Sequence, residues 1–388
     1  MYPSVTDILR DLFGLNLALP IQTFGFFVAI AFLCGSYVLG KELKRMEGLG
    51  WMNSLTERML IGKPASTQEL VIAAVVGFLI GFKLIYGALH YGELVDDPQG
   101  VIMSAKGSWL GGLLGAALSA WSKKREKDKE KLAKPEWRNV EIHPYDLVGN
   151  LTLIAAAGGL IGAKIFHILE DTTDFMRDPI GALTSFSGLT FYGGLIVGAA
   201  SVLWYARKKG IPLLRLMDAT APALMLAYGV GRIGCQMAGD GDWGIVNTHP
   251  MPDWMSFLPE WMWAFDYPHN VNGVGIPIPG CEGKHCAVLP ETVYPTPFYE
   301  SVMGIGLFGF LWSIRKKLLM PGMMFCIYLV VNGLERFFIE KIRVNATYDI
   351  LGHAITQAEI ISAALVLVGI TGIWLIRKRG AVSSTSDQ

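Results

Sequence analysis

GRIGCQMAGDGDWG, residues Gly231 to Gly244, decides how this chain is read. It closes a long apolar stretch that begins near Leu216 and sets an arginine, Arg232, inside it. A charge in hydrocarbon is expensive unless it is partnered, so an intramembrane arginine marks a functional site by default. The glycines around it let backbone come close to a ligand or to another helix. Asp240, Asp242 and Trp243 follow where such a helix would leave the bilayer.

Composition agrees with a membrane setting. The 388 residues are 52% hydrophobic and 17% charged, with mean hydropathy +0.40, which is too apolar for an ordinary soluble domain. No secretory signal is evident in the first residues. Apolar runs that cross, or nearly cross, roughly 30 Å of hydrocarbon lie near 19–40, 69–89, 107–121, 147–169, 189–206, 216–237, 298–314, 322–340 and 359–376. The third is short and the sixth contains Pro222.

The loops between these runs alternate in charge. Alternate loops hold 23 Lys/Arg against 6 in the others, most densely at 41–68 and 122–138. The positive-inside rule then sets the N-terminus outside and the C-terminus inside, which needs an odd number of spans. The expected fold is an all-α, polytopic membrane helix bundle of about nine transmembrane helices, forming a single integral membrane domain over 1–388. Residues 239–297 become an external head loop. Trp243, Trp254, Trp261 and Trp263 suit the lipid interface rather than a disordered linker. On that outer side Cys281 and Cys286 are candidates for a disulfide, and with His285 they make only a weak zinc signal. No metal, cofactor or nucleic-acid partner is expected.

The chain repeats itself. Gly81, Lys83, Asp97, Pro98, Gly100, Ser104 and Gly107 match Gly162, Lys164, Asp178, Pro179, Gly181, Ser185 and Gly188 at one constant offset. Gly111 and Gly112 match Gly193 and Gly194 after a slip of one residue. Residues 69–121 are therefore a duplicated two-helix insert, parallel in topology to the second copy. The second copy carries His167 and Tyr192, so it is expected to be the functional one.

Four cations lie inside expected spans: Lys83, Lys164, Arg232 and Arg336. Asn332, Arg336, Glu340 and Arg343 share a helix face. Either lysine can instead snorkel to the interface, and Arg336 with Glu340 can be a helix-stabilising ion pair. Several outer cations with few fixed anions suit an anionic ligand, and a phospholipid phosphate is available at that depth. Tyr192 and Tyr299 open helices at the same level, either as belt tyrosines or as part of the site.

These segments resemble one family, the bacterial prolipoprotein diacylglyceryl transferases. GRIGCQMAGDGDWG resembles the family signature GRxGNFxNGExxG. LTFYGGLIVG resembles SFHGGLIG, GAKIFHILED resembles GARLxYVLFE, YPTPFYE resembles HPxQLYE, and ERFFIEKIR resembles FRFxxEFFR. The matches run in family order over a catalytic core at 158–343, with a weaker one in TFGFF near the N-terminus.

The resemblance implies transfer of the diacylglyceryl group of phosphatidylglycerol to the lipobox cysteine thiol of a prolipoprotein signal peptide. Glycerol phosphate leaves, in the outer leaflet of the bacterial cytoplasmic membrane. It implies catalytic roles for Tyr192, Arg336, Glu340 and Asp240. It implies phosphatidylglycerol-binding roles for Arg232, Lys164, Gly193, Gly194, Cys235, Gly244, Tyr299, Glu300 and Arg343. Tyr192 stands where the family usually has His, Cys235 where it has Asn, and Asp240 where it has Glu. Phe24 and Asn332 each stand for a Tyr, and Asp242 is an insertion. The competing class is a phospholipid-binding transporter or scaffold on the same fold, which would place polar groups at mid-bilayer and on both sides, whereas here they are expected to gather on one side. A phosphatidyltransferase of the alcohol type would need a paired-aspartate metal motif, which the sequence lacks.

Overall fold

The computed structural model describes residues 1–184, 190–345, 347–350 and 353–385. Ser185 and Gly188 of the repeat fall outside these described residues. The first elements are α1 (Val5–Phe13), α2 (Thr23–Gly48) and strand β1 (Leu55–Ile61). Then come α3 (Thr67–Leu89), α4 (Tyr91–Asp96), α5 (Pro98–Met103), α6 (Trp109–Lys129) and β2 (Glu136–Ile142). Next are α7 (Val148–Glu170), α8 (Thr172–Arg177), α9 (Pro179–Thr184), α10 (Phe191–Lys208) and α11 (Leu213–Ala238). The short strands β3 (Ile276–Pro277) and β4 (Ala287–Val288) precede α12 (Thr296–Ile314) and α13 (Met323–Glu340). Last come β5 (Thr347–Ile350), β6 (His353–Thr356) and α14 (Gln357–Thr385).

Each segment expected to span is helical, and Pro222 sits inside the continuous α11. Among the described residues, five helices are long and apolar enough to cross a membrane: Thr23–Gly48, Thr67–Leu89, Pro144–Glu170, Leu213–Ala238 and Gln357–Arg379. The protein is thus mostly helical, but it is not purely so. β1 and β2 pair antiparallel, Leu55 opposite Ile142 through Ile61 opposite Glu136, within two segments expected to be plain charged loops. LTERMLI and EWRNVEI mix β-branched and aromatic residues with charges, which suits a solvated two-stranded ribbon.

The chain divides into two compact units. One holds Met1–Leu17, Ile21–Met52 and Ile211–Gln388; the other holds Ala18–Pro20 and Asn53–Gly210.

In the second unit the repeat is visible as repeated geometry. Helix α3 packs on α6, and α7 on α10. A Cβ at Gly81 would lie 2.2 Å from the Gly111 carbonyl oxygen, and one at Gly162 would lie 2.4 Å from that of Gly193. Backbone meets backbone in both pairs, the close approach that small residues permit between membrane helices. Asp97 Oδ1 accepts the Gly100 amide at 3.0 Å, as Asp178 Oδ1 accepts that of Gly181 at 2.9 Å.

In the first unit α11 packs against α2, α12 and α13, and α13 also packs against α14. Gly229 and Gly304 let α11 touch α12: a Cβ at Gly304 would lie 2.9 Å from the Gly229 Cα. Residues 239–297 form a small folded head rather than an open loop. Tyr267 is fully buried with Leu289 and Val293, and Met1, Trp243 and Phe265 pack around them. The Tyr267 hydroxyl donates to Gln236 Oε1 at 2.7 Å, tying the head to the end of α11.

Candidate functional site

The antiparallel run of α11, α12 and α13 brings the C-terminal end of α11, the first turn of α12 and the last turn of α13 to one end of the first unit. Glu300, 0% exposed, is the hub there. Its Oε2 lies 3.1 Å from Arg232 Nε, and its Oε1 accepts from Arg336 Nη1 at 3.0 Å and from Arg343 Nη1 at 3.1 Å. Arg336 Nη2 also reaches Glu340 Oε2, one helical turn on, at 3.0 Å. Glu340 Oε1 in turn accepts from Asn345 Nδ2 at 2.6 Å.

Asp242 closes the ring. It is ion-paired to Arg232 through Oδ2, and its Oδ1 accepts from Arg343 Nη2 at 2.6 Å. The Thr296 hydroxyl donates to the Asp242 carbonyl at 2.6 Å, and the Asp240 carboxylate accepts the Asp242 amide at 3.4 Å. Burial alone would push the Asp242 carboxyl up, but Arg232 and Arg343 outweigh it and hold it below its usual value. Asp240 goes the other way: burial first, then the neighbouring Asp242 charge, push its carboxyl up. For Arg343, burial is outweighed by Glu300 and Asp242, which favour the charged form.

Gly244 fixes this geometry. Its amide donates to the Tyr294 carbonyl at 2.8 Å, and it forms a bridge with Arg343. A Cβ there would lie 2.4 Å from the Ile342 carbonyl oxygen, so the signature's last glycine is needed for backbone contact beside Arg343. Cys235 is buried, with its sulfur 3.7 Å from Arg232 Nη1. The Tyr299 hydroxyl donates weakly to the Trp263 carbonyl at 3.4 Å. The ligand atoms of Cys235, Asp240 and Asp242 lie within 4.8 Å of one another. The Arg232 guanidinium occupies that corner, and its charge opposes a metal ion there.

Two expectations change. The cations expected at the outer level are not short of anions, because Glu300, Asp242 and Glu340 neutralise Arg232, Arg336 and Arg343. Sequence reasoning placed Asp242 outside the site as an insertion and Glu300 among the ligands. The first bridges two arginines and the second holds three. Polar groups also do not gather at one end only. At the opposite end of these helices Glu42, 2% exposed, accepts from Arg45 Nε at 3.0 Å and lies 3.3 Å from Arg315 Nε. Asp218 there accepts the Gly322 and Phe325 amides at 2.7 and 3.0 Å, capping α13.

Tyr192, Lys164, Gly193 and Gly194 belong to the second unit. Gly193 and Gly194 pack α10 onto α7: a Cβ at Gly193 would lie 2.4 Å from Phe166 Cβ, and one at Gly194 would lie 2.9 Å from the Gly159 carbonyl oxygen. The Tyr192 ring stands edge-on to Phe191. Lys83, the repeat partner of Lys164, donates to the carbonyls of Val101 and Lys106 at 2.8 Å each, closing the end of α5. Cys281 and Cys286 are joined by a disulfide.

A model of the prolipoprotein diacylglyceryl transferase family matches residues 129–375, well over half of the chain. The chain belongs to this family. The matched stretch contains the whole arginine–carboxylate ring and leaves out residues 69–121. Relatives that carry the name phosphatidylglycerol–prolipoprotein diacylglyceryl transferase include the following three. One, from Corynebacterium glutamicum, is 29% identical over 242 residues, or 61% of this chain and 71% of the relative. One from Bifidobacterium adolescentis is 27% identical over 275 residues, 69% of this chain and 74% of the relative. One from Clostridium botulinum is 27% identical over 293 residues, 75% of this chain and 97% of the relative. As a prolipoprotein diacylglyceryl transferase family member, the chain is a transferase with several helices fit to cross a membrane. Arg232, Gly244, Glu300, Arg336, Glu340 and Arg343, picked from three separate motifs, meet in one unit.

Proposed function

We propose that this chain moves the diacylglyceryl group of phosphatidylglycerol onto the lipobox cysteine thiol of a prolipoprotein and releases glycerol phosphate. The observation that carries the reading is the arrangement of the three arginines. Each keeps one arm on the fully buried Glu300, while the outward arms of Arg232 and Arg343 meet at Asp242, which is 35% exposed. A phosphate arriving from the lipid side exchanges with the accessible Asp242 and leaves Glu300 in place. Arginine forks suit the exchange because they donate paired hydrogen bonds to carboxylate and phosphate alike.

The substrate thiolate is the nucleophile. It attacks the glyceryl carbon that carries the phosphate; the S–C bond forms, the C–O bond breaks, and the phosphate oxygen keeps the electron pair. Arg336, Arg232 and Arg343 hold the charge that collects on that oxygen, the kind of preorganised electrostatic help that lowers such barriers most. Glu340 and Glu300 aim Arg336, Gly244 sets Arg343, and Asp240 holds the turn that presents Asp242. Cys235 packs beside Arg232, and Tyr299 lies at the first turn of α12.

In this reading the bundle spans nine times, with the N-terminus outside and the C-terminus inside. The ring then faces the outer leaflet of the bacterial cytoplasmic membrane. The charge alternation of the loops supports this, as does a disulfide in the head, since disulfides persist in oxidising compartments.

A phospholipid transporter or scaffold is the second reading, and the cluster around Glu42 at the other end of the bundle favours it. The two part on chemistry. Purified protein incubated with phosphatidylglycerol should release glycerol phosphate only when a lipobox peptide with a free cysteine is present. Release that ignores the peptide, or no release with it, contradicts the transferase.

A further inference from the structure

One buried acid at this end of the bundle takes no part in the arginine ring. Glu335 is 6% exposed, and among the described residues it makes no ion pair. Its Oε1 accepts from the Tyr228 hydroxyl at 3.2 Å, and its Oε2 is buried with no hydrogen-bond partner. A buried carboxylate oxygen left without a donor is costly, and more so when it is charged. The arginines that neutralise the other acids are committed: Arg232 to Glu300 and Asp242, and Arg336 to Glu300 and Glu340.

The groups acting on Glu335 come from three helices. They are Tyr228 and Arg232 on α11, Glu300 on α12, and Tyr328 and Arg336 on α13. Helix α14 meets α13 nearby at Gly333, through the Ser362 carbonyl, Leu365 and Val366, which bring no charge. Glu335 therefore stands beside Glu300 with no cation of its own among the described residues. Tyr228 connects it to the site: it lies one turn before Arg232 on α11, is partly exposed, and has the Arg232 guanidinium 5.4 Å from its ring centroid.

We propose that Glu335, reached through the Tyr228 hydroxyl, accepts the proton of the substrate thiol. The inference rests on the transferase reading and supplies its base. The thiol S–H bond breaks and its proton passes to the Tyr228 oxygen, while the Tyr228 hydroxyl proton moves to Glu335. The thiolate is left beside Arg232, its S–C bond forms as the C–O bond to phosphate breaks, and the glycerol phosphate carries away the electron pair. Glu335 later returns the proton to water.

The test measures turnover of a lipobox peptide with phosphatidylglycerol by the full-length protein, from pH 6 to 10. Glu335→Gln keeps the shape and the acceptor for Tyr228 but cannot take the proton. Turnover should fall ~100-fold near pH 7, the scale of general base catalysis, with KM for phosphatidylglycerol within about threefold. It should recover as the pH passes the thiol's own value of about 8.5. Tyr228→Phe should show the same loss, and the double variant no further loss. Glu335→Asp should restore part of the turnover. Turnover near wild type in Glu335→Gln, or a loss equal at every pH, overturns the proposal. If Glu335→Gln does not fold, Tyr228→Phe decides: an unshifted pH profile overturns it. A wild-type protein that never modifies the peptide refutes the transferase reading instead, and the two failures are distinct.

Discussion

Glu300 and Arg336 are bound at 3.0 Å, Oε1 to Nη1, across two helices and 36 residues of sequence. The bond matters because Glu300 also holds Arg232 and Arg343 and has no access to solvent. Removing one charge from a buried pair leaves its partners uncompensated, at about 3–5 kcal/mol. Glu300→Gln should therefore lower the thermal midpoint in detergent and reduce turnover together. An unchanged midpoint would show that the three arginines do not depend on it.

Gly244→Ala tests the backbone contact. The new Cβ would lie 2.4 Å from the Ile342 carbonyl oxygen and 2.9 Å from Tyr294 Cβ, neither of which is a free side-chain end. Forced shifts of this kind cost about 1–3 kcal/mol. The strain falls beside Arg343, so turnover should drop while the helix content seen by circular dichroism stays constant. Full activity would remove Gly244 from the account of how Arg343 is placed.

The two signature aspartates should respond oppositely to acid. Asp242 is held below its usual value, so its contribution to stability is fully present above the unfolded carboxylate value of about 3.9. It is lost only as pH falls through the lower folded value. Asp242→Asn should therefore lower the thermal midpoint equally at pH 7 and pH 5. Asp240 is held above its usual value, so its ionisation costs stability as pH rises through the folded value. Asp240→Asn should raise the midpoint at pH 7 relative to wild type, and less so in acid. A midpoint that drops in Asp240→Asn at pH 7 would contradict the assignment.

Much of this was legible beforehand, and the limits have physical causes. Long apolar runs report their own helices, so α2, α7 and α11 could be located from composition alone. The Arg336–Glu340 pair was legible because one helical turn separates its members. The Asp242–Arg343 pair was not, because it depends on the chain returning after 101 residues. Glu335 escaped notice for a similar reason. It adjoins Arg336 in sequence, but its neighbour on a helix faces elsewhere, and its partner Tyr228 is 107 residues away. The β1–β2 ribbon lay hidden because its charges read as loop, although its alternating residues suit a strand. Asp242 looked like a disturbance of the signature, yet it supplies the accessible end of the ring.

Orientation can be checked without activity. Phe257 in the head is 79% exposed and should lie outside, while Asp128 at the end of α6 should lie inside. In intact cells, a membrane-impermeant thiol reagent should label Phe257→Cys and spare Asp128→Cys. The reverse pattern would invert the topology and place the ring on the wrong side for secreted substrates.

The most direct measurement is the mass of a lipobox peptide after incubation with the purified protein and phosphatidylglycerol of defined acyl chains. The account predicts a gain of one diacylglyceryl group on the cysteine, resistant to mild base at the thioether, and lost when Arg336 is changed to Ala. A peptide of unchanged mass, under conditions where a family relative modifies it, would contradict the central claim.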